Sequence, residues 1–256
     1  MVTYSSVAKN YKKRVAVEDF SLSVDAPIFG FLGANGAGKT TLMKMTVGLL
    51  APTSGAITID GKPSRDEASK QKIGFMPETP YFYERFTGME FMRFCGELFG
   101  RRGRAFDSFV LDILKKVGIC DARDYEIKTY SKGMRQRLGF AQALVNDPEY
   151  IFLDEPLDGL DPVGRREMKD VMRALKRDGK KIFLNTHILY DVEEVCDELG
   201  VIHRGCLLYA GPVKKFCAGQ SLEKRFVEVV EEYEKNDIFV SSRNSEALRG
   251  ISGIQK

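Results

Sequence analysis

Residues 28–50 read Ile-Phe-Gly-Phe-Leu-Gly-Ala-Asn-Gly-Ala-Gly-Lys-Thr-Thr-Leu-Met-Lys-Met-Thr-Val-Gly-Leu-Leu. The opening apolar run has the length and composition of a short buried strand, while Leu42, Met45, Thr46 and Leu49 recur at helical spacing. Between them, Gly33-Ala34-Asn35-Gly36-Ala37-Gly38-Lys39-Thr40 satisfies G-x-x-x-x-G-K-[ST]. Strand, glycine loop and helix in that order make a phosphate cradle. Glycines let the backbone N–H groups converge on anionic oxygens, and the helix N-terminus adds the positive end of its dipole. Lys39 can then reach the β- and γ-phosphates, the Thr40 hydroxyl can hold Mg²⁺, and Thr41 adds a further phosphate contact. Such a loop defines a nucleotide site, but kinases, GTPases and motors share it.

Upstream, residues 2–24 alternate polar and apolar side chains, which predicts short strands in a small antiparallel layer. Downstream, strands are expected at 56–60, 73–76, 150–153, 181–184 and 199–202, the later ones separated by helical stretches. That alternation predicts a mainly parallel sheet with crossover helices. Between Phe86 and Lys116 the pattern turns helical, with Phe91, Phe94, Leu98 and Phe99 and then Phe109, Ile113, Leu114 and Val117 as its apolar positions. The fold expected is therefore α/β: a P-loop NTPase core, an N-terminal antiparallel β subdomain and a helical subdomain inserted at about 80–135. Residues 1–219 form the main domain and 220–256 a helical tail, whose Leu222, Phe226, Val229, Val230 and Tyr233 share one face.

Composition limits the partners. The chain has 256 residues, of which 43% are hydrophobic, enough for a sizeable core. A net charge of +3 gives no field that argues for nucleic acid, and none is expected as a partner. The basic runs Lys12-Lys13-Arg14 and Arg101-Arg102-Gly103-Arg104 read as solvated faces and receive no function. Five scattered cysteines without a C-x-x-C pair suit neither a disulfide framework nor a zinc ribbon, and fit a reducing cytosol. No apolar run approaches the ~18 to 20 residues of a membrane-spanning helix, so work at a membrane would need another chain to span it.

Tyr150-Ile151-Phe152-Leu153-Asp154-Glu155 reads as a buried strand that delivers two carboxylates at its C-terminal edge, where ligands of open α/β sheets sit. Asp154 suits the magnesium shell and Glu155 the polarisation of an attacking water. Ahead of it, Tyr130-Ser131-Lys132-Gly133-Met134-Arg135-Gln136-Arg137 resembles the signature segment of the ABC ATPase family. Asp158-Gly159-Leu160-Asp161-Pro162 is similar to that family's D-loop, with Asp161 as its aspartate, and Asn185-Thr186-His187 to its switch-histidine segment. Tyr11 resembles the aromatic residue that stacks on adenine. The likeness spans residues 1–215.

This resemblance implies an ATPase using ATP and Mg²⁺, with Lys39, Glu155 and His187 catalytic. It also implies that Ser131, Lys132, Gly133 and Met134 bind, in trans, the γ-phosphate held by a second ATPase subunit, identical or related. The partner implied is a polytopic membrane permease subunit, with this chain peripheral on the cytoplasmic face of the cell membrane. Two departures stand out. Glu78 occupies the position where the family commonly has glutamine, where it can serve as a metal ligand or orient water. Lys132 and Met134 replace the commoner glycine and glutamine. Both signature variants, with Leu222-Glu223 and Phe226 in the tail, resemble an exporter branch whose ATPase is a separate chain. The alternative is a soluble clamp of the same family acting on ribosomes or DNA. It is disfavoured because the chain has no long coiled-coil insertion, no zinc cysteines and no second ATPase domain.

Overall fold

The computed structural model describes the backbone of residues 1–12 and 14–251, with side chains described as far as residue 236. Lys13 of the first basic run and the last residues of the tail, 252–256, lie outside the described residues.

The N-terminal alternation forms two long antiparallel strands, β1 (Val2–Tyr11) and β2 (Arg14–Val24). They are longer than the pattern suggests because bulges near Tyr4, Val7 and Lys9 let the pairing continue through its irregularities. Next come β3 (Ile28–Leu32), α1 (Lys39–Thr46), β4 (Ser54–Ile59), the short β5 (Lys62–Pro63), α2 (Glu67–Lys70) and β6 (Ile73–Met76). The inserted segment supplies α3 (Gly88–Glu97) and α4 (Arg104–Lys116), and α5 (Lys132–Gln142) leads back to the sheet. Then β7 (Tyr150–Asp154), α6 (Pro162–Arg177), β8 (Lys181–Thr186), α7 (Leu189–Val195) and β9 (Glu198–His203) alternate. β10 (Cys206–Pro212), α8 (Val213–Cys217) and α9 (Leu222–Ile251) complete the order.

Among the described residues the strands form two sheets, β2-β1-β4-β5, which is antiparallel, and β10-β9-β3-β8-β7-β6, in which only the β9–β10 pair is antiparallel. Every residue of β3 and β7 is buried, as strands covered on both faces require. Tyr4, Phe20, Phe31 and Phe183 join the two sheets through edge-on and tilted ring contacts. Thr87 starts α3 with a reciprocal capping box: the Glu90 N–H donates to its hydroxyl at 3.2 Å, and its own N–H donates to the Glu90 carboxylate at 2.8 Å.

Three side chains depart from the apolar periodicity. Leu49 is 67% exposed and Leu98 71%, with Phe99 also at the surface. The cause is where the helices stop: α1 ends at Thr46 and α3 at Glu97, and the chain turns at Gly48 just ahead of Leu49 and at Gly100 just after Leu98 and Phe99, so the three lie beyond the core-facing stripe of their helices. In the tail, Leu222 is buried, and Phe226 and Val229 pack with it against Leu199 and Phe216. Among the described residues no helix is long and apolar enough to cross a membrane.

The helices that follow β7 and β8 are tied together. Lys169 on α6 is buried and reaches Asp191 at 2.7 Å and Glu194 at 2.5 Å on α7, where Asp191 is fully buried. A buried pair of this kind fixes one helix against the other, because removing a single partner strands a charge in low dielectric.

Candidate functional site

The loop between β3 and α1 is held open for a ligand by its own backbone. Gly38 occupies the N-cap of α1 at φ +113°, and a Cβ there would lie 2.4 Å from the Ala16 carbonyl, so only glycine fits. No side chain caps this helix, which leaves its first N–H groups directed at the loop's concavity. Gly33 and Ala37, also expected at the site, are not among the residues that line its cavity and are backed by the β9–β10 hairpin. A Cβ on Gly33 would meet the Ile202 carbonyl at 2.2 Å, and the Ala37 carbonyl accepts the Gly205 N–H at 2.9 Å.

Lys39 is buried and folds back, its Nζ donating to the Gly33 carbonyl at 2.6 Å and the Ala34 carbonyl at 3.2 Å. Burial pulls the pKa of its ammonium below the ordinary lysine value, while Glu155, Asp154 and Glu78 work against that fall. A cavity of roughly 430 Å³ opens above it, lined by Tyr11, Asn35, Gly36, Gly38, Lys39, Thr40, Thr41, Glu78 and Glu155 among the residues expected at this site. Tyr11, at the end of β1, is about half exposed, with the Lys9 ammonium 5.4 Å from its ring centroid.

β7 brings in the carboxylates. Asp154 is buried, and its Oδ1 accepts the Asn185 amide at 3.0 Å and faces the Thr40 hydroxyl at 3.3 Å. Its Oδ2 is buried with no hydrogen-bond partner. A bare carboxylate oxygen beside a hydroxyl suits Mg²⁺, which takes one or two protein ligands and shares the rest of its shell with phosphates and water. Thr40 and Asp154 are thus the residues that fit this ion, with Glu78 across the cavity.

Glu155 turns the chain at φ +50°, a conformation a non-glycine residue holds only when its neighbours enforce it. Here its N–H donates to the Asn185 carbonyl at 2.9 Å, and its own carbonyl accepts the buried Gln136 amide at 2.8 Å. Its Oε1 is 2.9 Å from His187 Nδ1. The structure therefore pairs Glu155 with His187 at the cavity's edge.

Ser131, Lys132, Gly133 and Met134 stay outside this cavity. Ser131 caps α5, its hydroxyl accepting the Met134 N–H at 3.2 Å. Lys132 reaches Asp158 at 2.8 Å, and Gly133 lies beside Leu160. Asp161 caps α6 by accepting the Gly164 N–H at 2.7 Å, with Pro162 following at the first helical position.

Three residues emerge only from the structure. Gln136 and Asn185 brace Glu155 and Asp154, and each falls inside a recognised segment, which was the available signal. Arg14 lines the cavity and donates to the Gly36 carbonyl. Its place in a basic run pointed to solvent, and only the β1–β2 hairpin turns it over the loop.

Residues 17–158 match the family model described as ABC transporter. An ABC transporter ATP-binding protein of Nostoc sp. is 42% identical over 82% of this chain, which spans 64% of that relative; one from Synechocystis sp. is 46% identical over 72% of this chain, which spans 52% of it. The Nod factor export ATP-binding protein I of Bradyrhizobium diazoefficiens is 36% identical over 80% of this chain and 68% of its own length. Among solved structures, an ATP-binding subunit of an ABC transporter superposes with a TM-score of 0.82 at 28% identity, covering 90% of this chain and 99% of the other. The phosphate loop, the acidic strand end and these likenesses agree: the chain belongs to the family of ABC transporter ATP-binding proteins.

Proposed function

We propose that this chain binds and hydrolyses ATP between two ATPase subunits to drive a separate membrane permease, in the direction of export, from the cytoplasmic face of the membrane. The observation that carries the two-subunit reading is spatial. The loop residues Lys39, Thr40 and Thr41 line the cavity, whereas Ser131 to Met134 sit outside it on the end of α5. A signature segment that cannot serve its own chain's nucleotide is suited to serve a partner's, so that ATP binding and dimerisation become one event. Export is supported by the likeness to the Nod factor export protein and by the signature variants Lys132 and Met134.

In this reading Lys39 binds the β- and γ-phosphates, and the backbone of Gly36 and Gly38 cradles them. Thr40 and Asp154 hold Mg²⁺, which supplies charge neutralisation on the phosphate oxygens. Glu155 orients the attacking water, with His187, 2.9 Å away, fixing its carboxylate. Tyr11 takes the adenine ring, and Asp161 sets the D-loop by capping α6.

The permease is expected to dock beside Glu78, on residues 81–86 and the inserted helices. Tyr81 is 89% exposed there and Tyr83 57%. Large apolar side chains left at the surface in one region mark a contact surface. Cross-linking that found only the tail at the permease would overturn this placement.

The test of the whole reading is affinity capture of Glu155→Gln from detergent-solubilised membranes with ATP and Mg²⁺. A polytopic membrane protein in stoichiometric amount is the expected result. Recovery of ribosomes or DNA without one would replace it with the soluble clamp.

A further inference from the structure

We propose that Arg14 is a nucleotide-contacting residue, the second cation of the triphosphate site, and that it offsets the charge of Glu78. The inference rests on reading the cavity as the ATP site. Arg14 opens β2 directly across the hairpin from Tyr11, with which it pairs in register. That placement swings its guanidinium over the mouth of the phosphate loop, where it donates to the Gly36 carbonyl and walls the same cavity as Lys39, Thr40 and Thr41. A guanidinium carries five N–H donors in a planar fork, so one bond to a carbonyl leaves donors for phosphate or ribose oxygens.

Charge makes the role specific to this chain. Two carboxylates, Glu78 and Glu155, line the cavity, and Asp154 lies beneath them. Against them stand two cations, Lys39 and Arg14. With Lys39 alone the lining would be net negative before an anionic ligand arrived, and the glutamate at position 78 is the source of the excess. Arg14 cancels that excess among the lining residues from a strand outside the loop, and the charge of the buried Asp154 is left to a metal ion. A glutamine at 78 would not need it.

The experiment measures MgATP, MgADP and MgAMP affinity by calorimetry for Arg14→Gln, Glu78→Gln and the double variant, with thermal midpoints and with Lys39→Ala as control. We expect Arg14→Gln to weaken MgATP binding about tenfold, the size of one lost charge-assisted hydrogen bond, with a smaller loss for MgADP. Glu78→Gln in the same chain should recover most of that loss, and the midpoints should stay close to that of the parent. Wild-type MgATP affinity in Arg14→Gln, with binding impaired in Lys39→Ala, would overturn the role of Arg14 and leave the site reading standing. Wild-type affinity in both would overturn the site reading itself. Equal losses for all three nucleotides with a lowered midpoint would make Arg14 a staple for the Gly36 carbonyl, which also overturns the proposal.

Discussion

Two helix N-termini in this molecule face anions in the reading above, and they are finished differently. At α1 the N-cap is Gly38, which has no side chain to give, so the first-turn N–H groups remain open and the loop wraps around the space in front of them. At α5 the N-cap is Ser131, whose hydroxyl is already engaged by the Met134 N–H. An uncapped helix end beside a buried lysine is a site built within one chain. A helix end closed by its own serine, with its lysine drawn to Asp158, is a stable surface waiting for something presented from outside. Glu155 stands between the two, its carbonyl held by Gln136 of α5 and its carboxylate on the cavity in front of α1.

The largest effect is therefore expected at that junction. Glu155→Gln keeps the shape of the side chain and its backbone bonds but removes the base, and turnover should fall ~10² to 10⁴-fold while ATP binding persists. Phosphate release and nucleotide binding measured on one preparation check both halves. Normal turnover would remove Glu155 from its assigned role.

Ser131→Ala separates the two helix ends. Losing the cap should cost about 1 kcal/mol of stability, a shift readable in chemical denaturation. Turnover should fall further, ~10² to 10³-fold, if the serine faces a partner's phosphate. ATP binding by the monomer should be unchanged, since Ser131 lies outside the cavity. Impaired binding in the monomer would mean that the α5 end serves its own chain, and the contrast would collapse.

Alanine at the two glycines sharpens the contrast in the backbone. At Gly38 the new methyl group would strike the Ala16 carbonyl at 2.4 Å in a left-handed conformation, so Gly38→Ala should destabilise by about 2 kcal/mol and abolish ATP binding. At Gly133 the nearest atom is Leu160 Cδ2 at 3.4 Å, a tolerable contact. Gly133→Ala should leave the fold and monomer binding intact and act only where two subunits meet. Denaturant midpoints together with equilibrium binding distinguish the pair.

The α1 end was legible in the sequence because everything it needs lies within a dozen consecutive residues, from Gly30 through Thr41, and glycine has no substitute there. Strand order and the acidic end of β7 were legible for a similar reason: buried parallel strands read as short apolar runs. Leu49, Leu98 and Phe99 were misplaced because periodicity carries on past a helix end that only Gly48 and Gly100 mark. Arg14 and the Gln136–Glu155 bond were invisible for a different reason, since each joins residues that only the folded chain brings together. The α5 end lies between these cases: its residues could be recognised, but not that Ser131 would already be engaged.

Lys39 gives the finest probe of the open end, because its charge has opposite consequences for folding and for binding. Burial lowers its pKa in the ligand-free protein, so between that lowered value and the ordinary lysine value of 10.5 the unfolded chain binds the proton that the folded chain releases. Stability without ligand should then gain a contribution as pH rises through this window. ATP binding needs the ammonium, so affinity should fall over the same window, beginning below the pH at which a free lysine would lose its proton. Lys39→Met, of similar length and permanently neutral, should lack both trends, and the difference between parent and variant isolates them from the other groups that titrate there. Parallel changes of binding and stability with pH in the parent would show that Lys39 serves the loop's own carbonyls and not a phosphate.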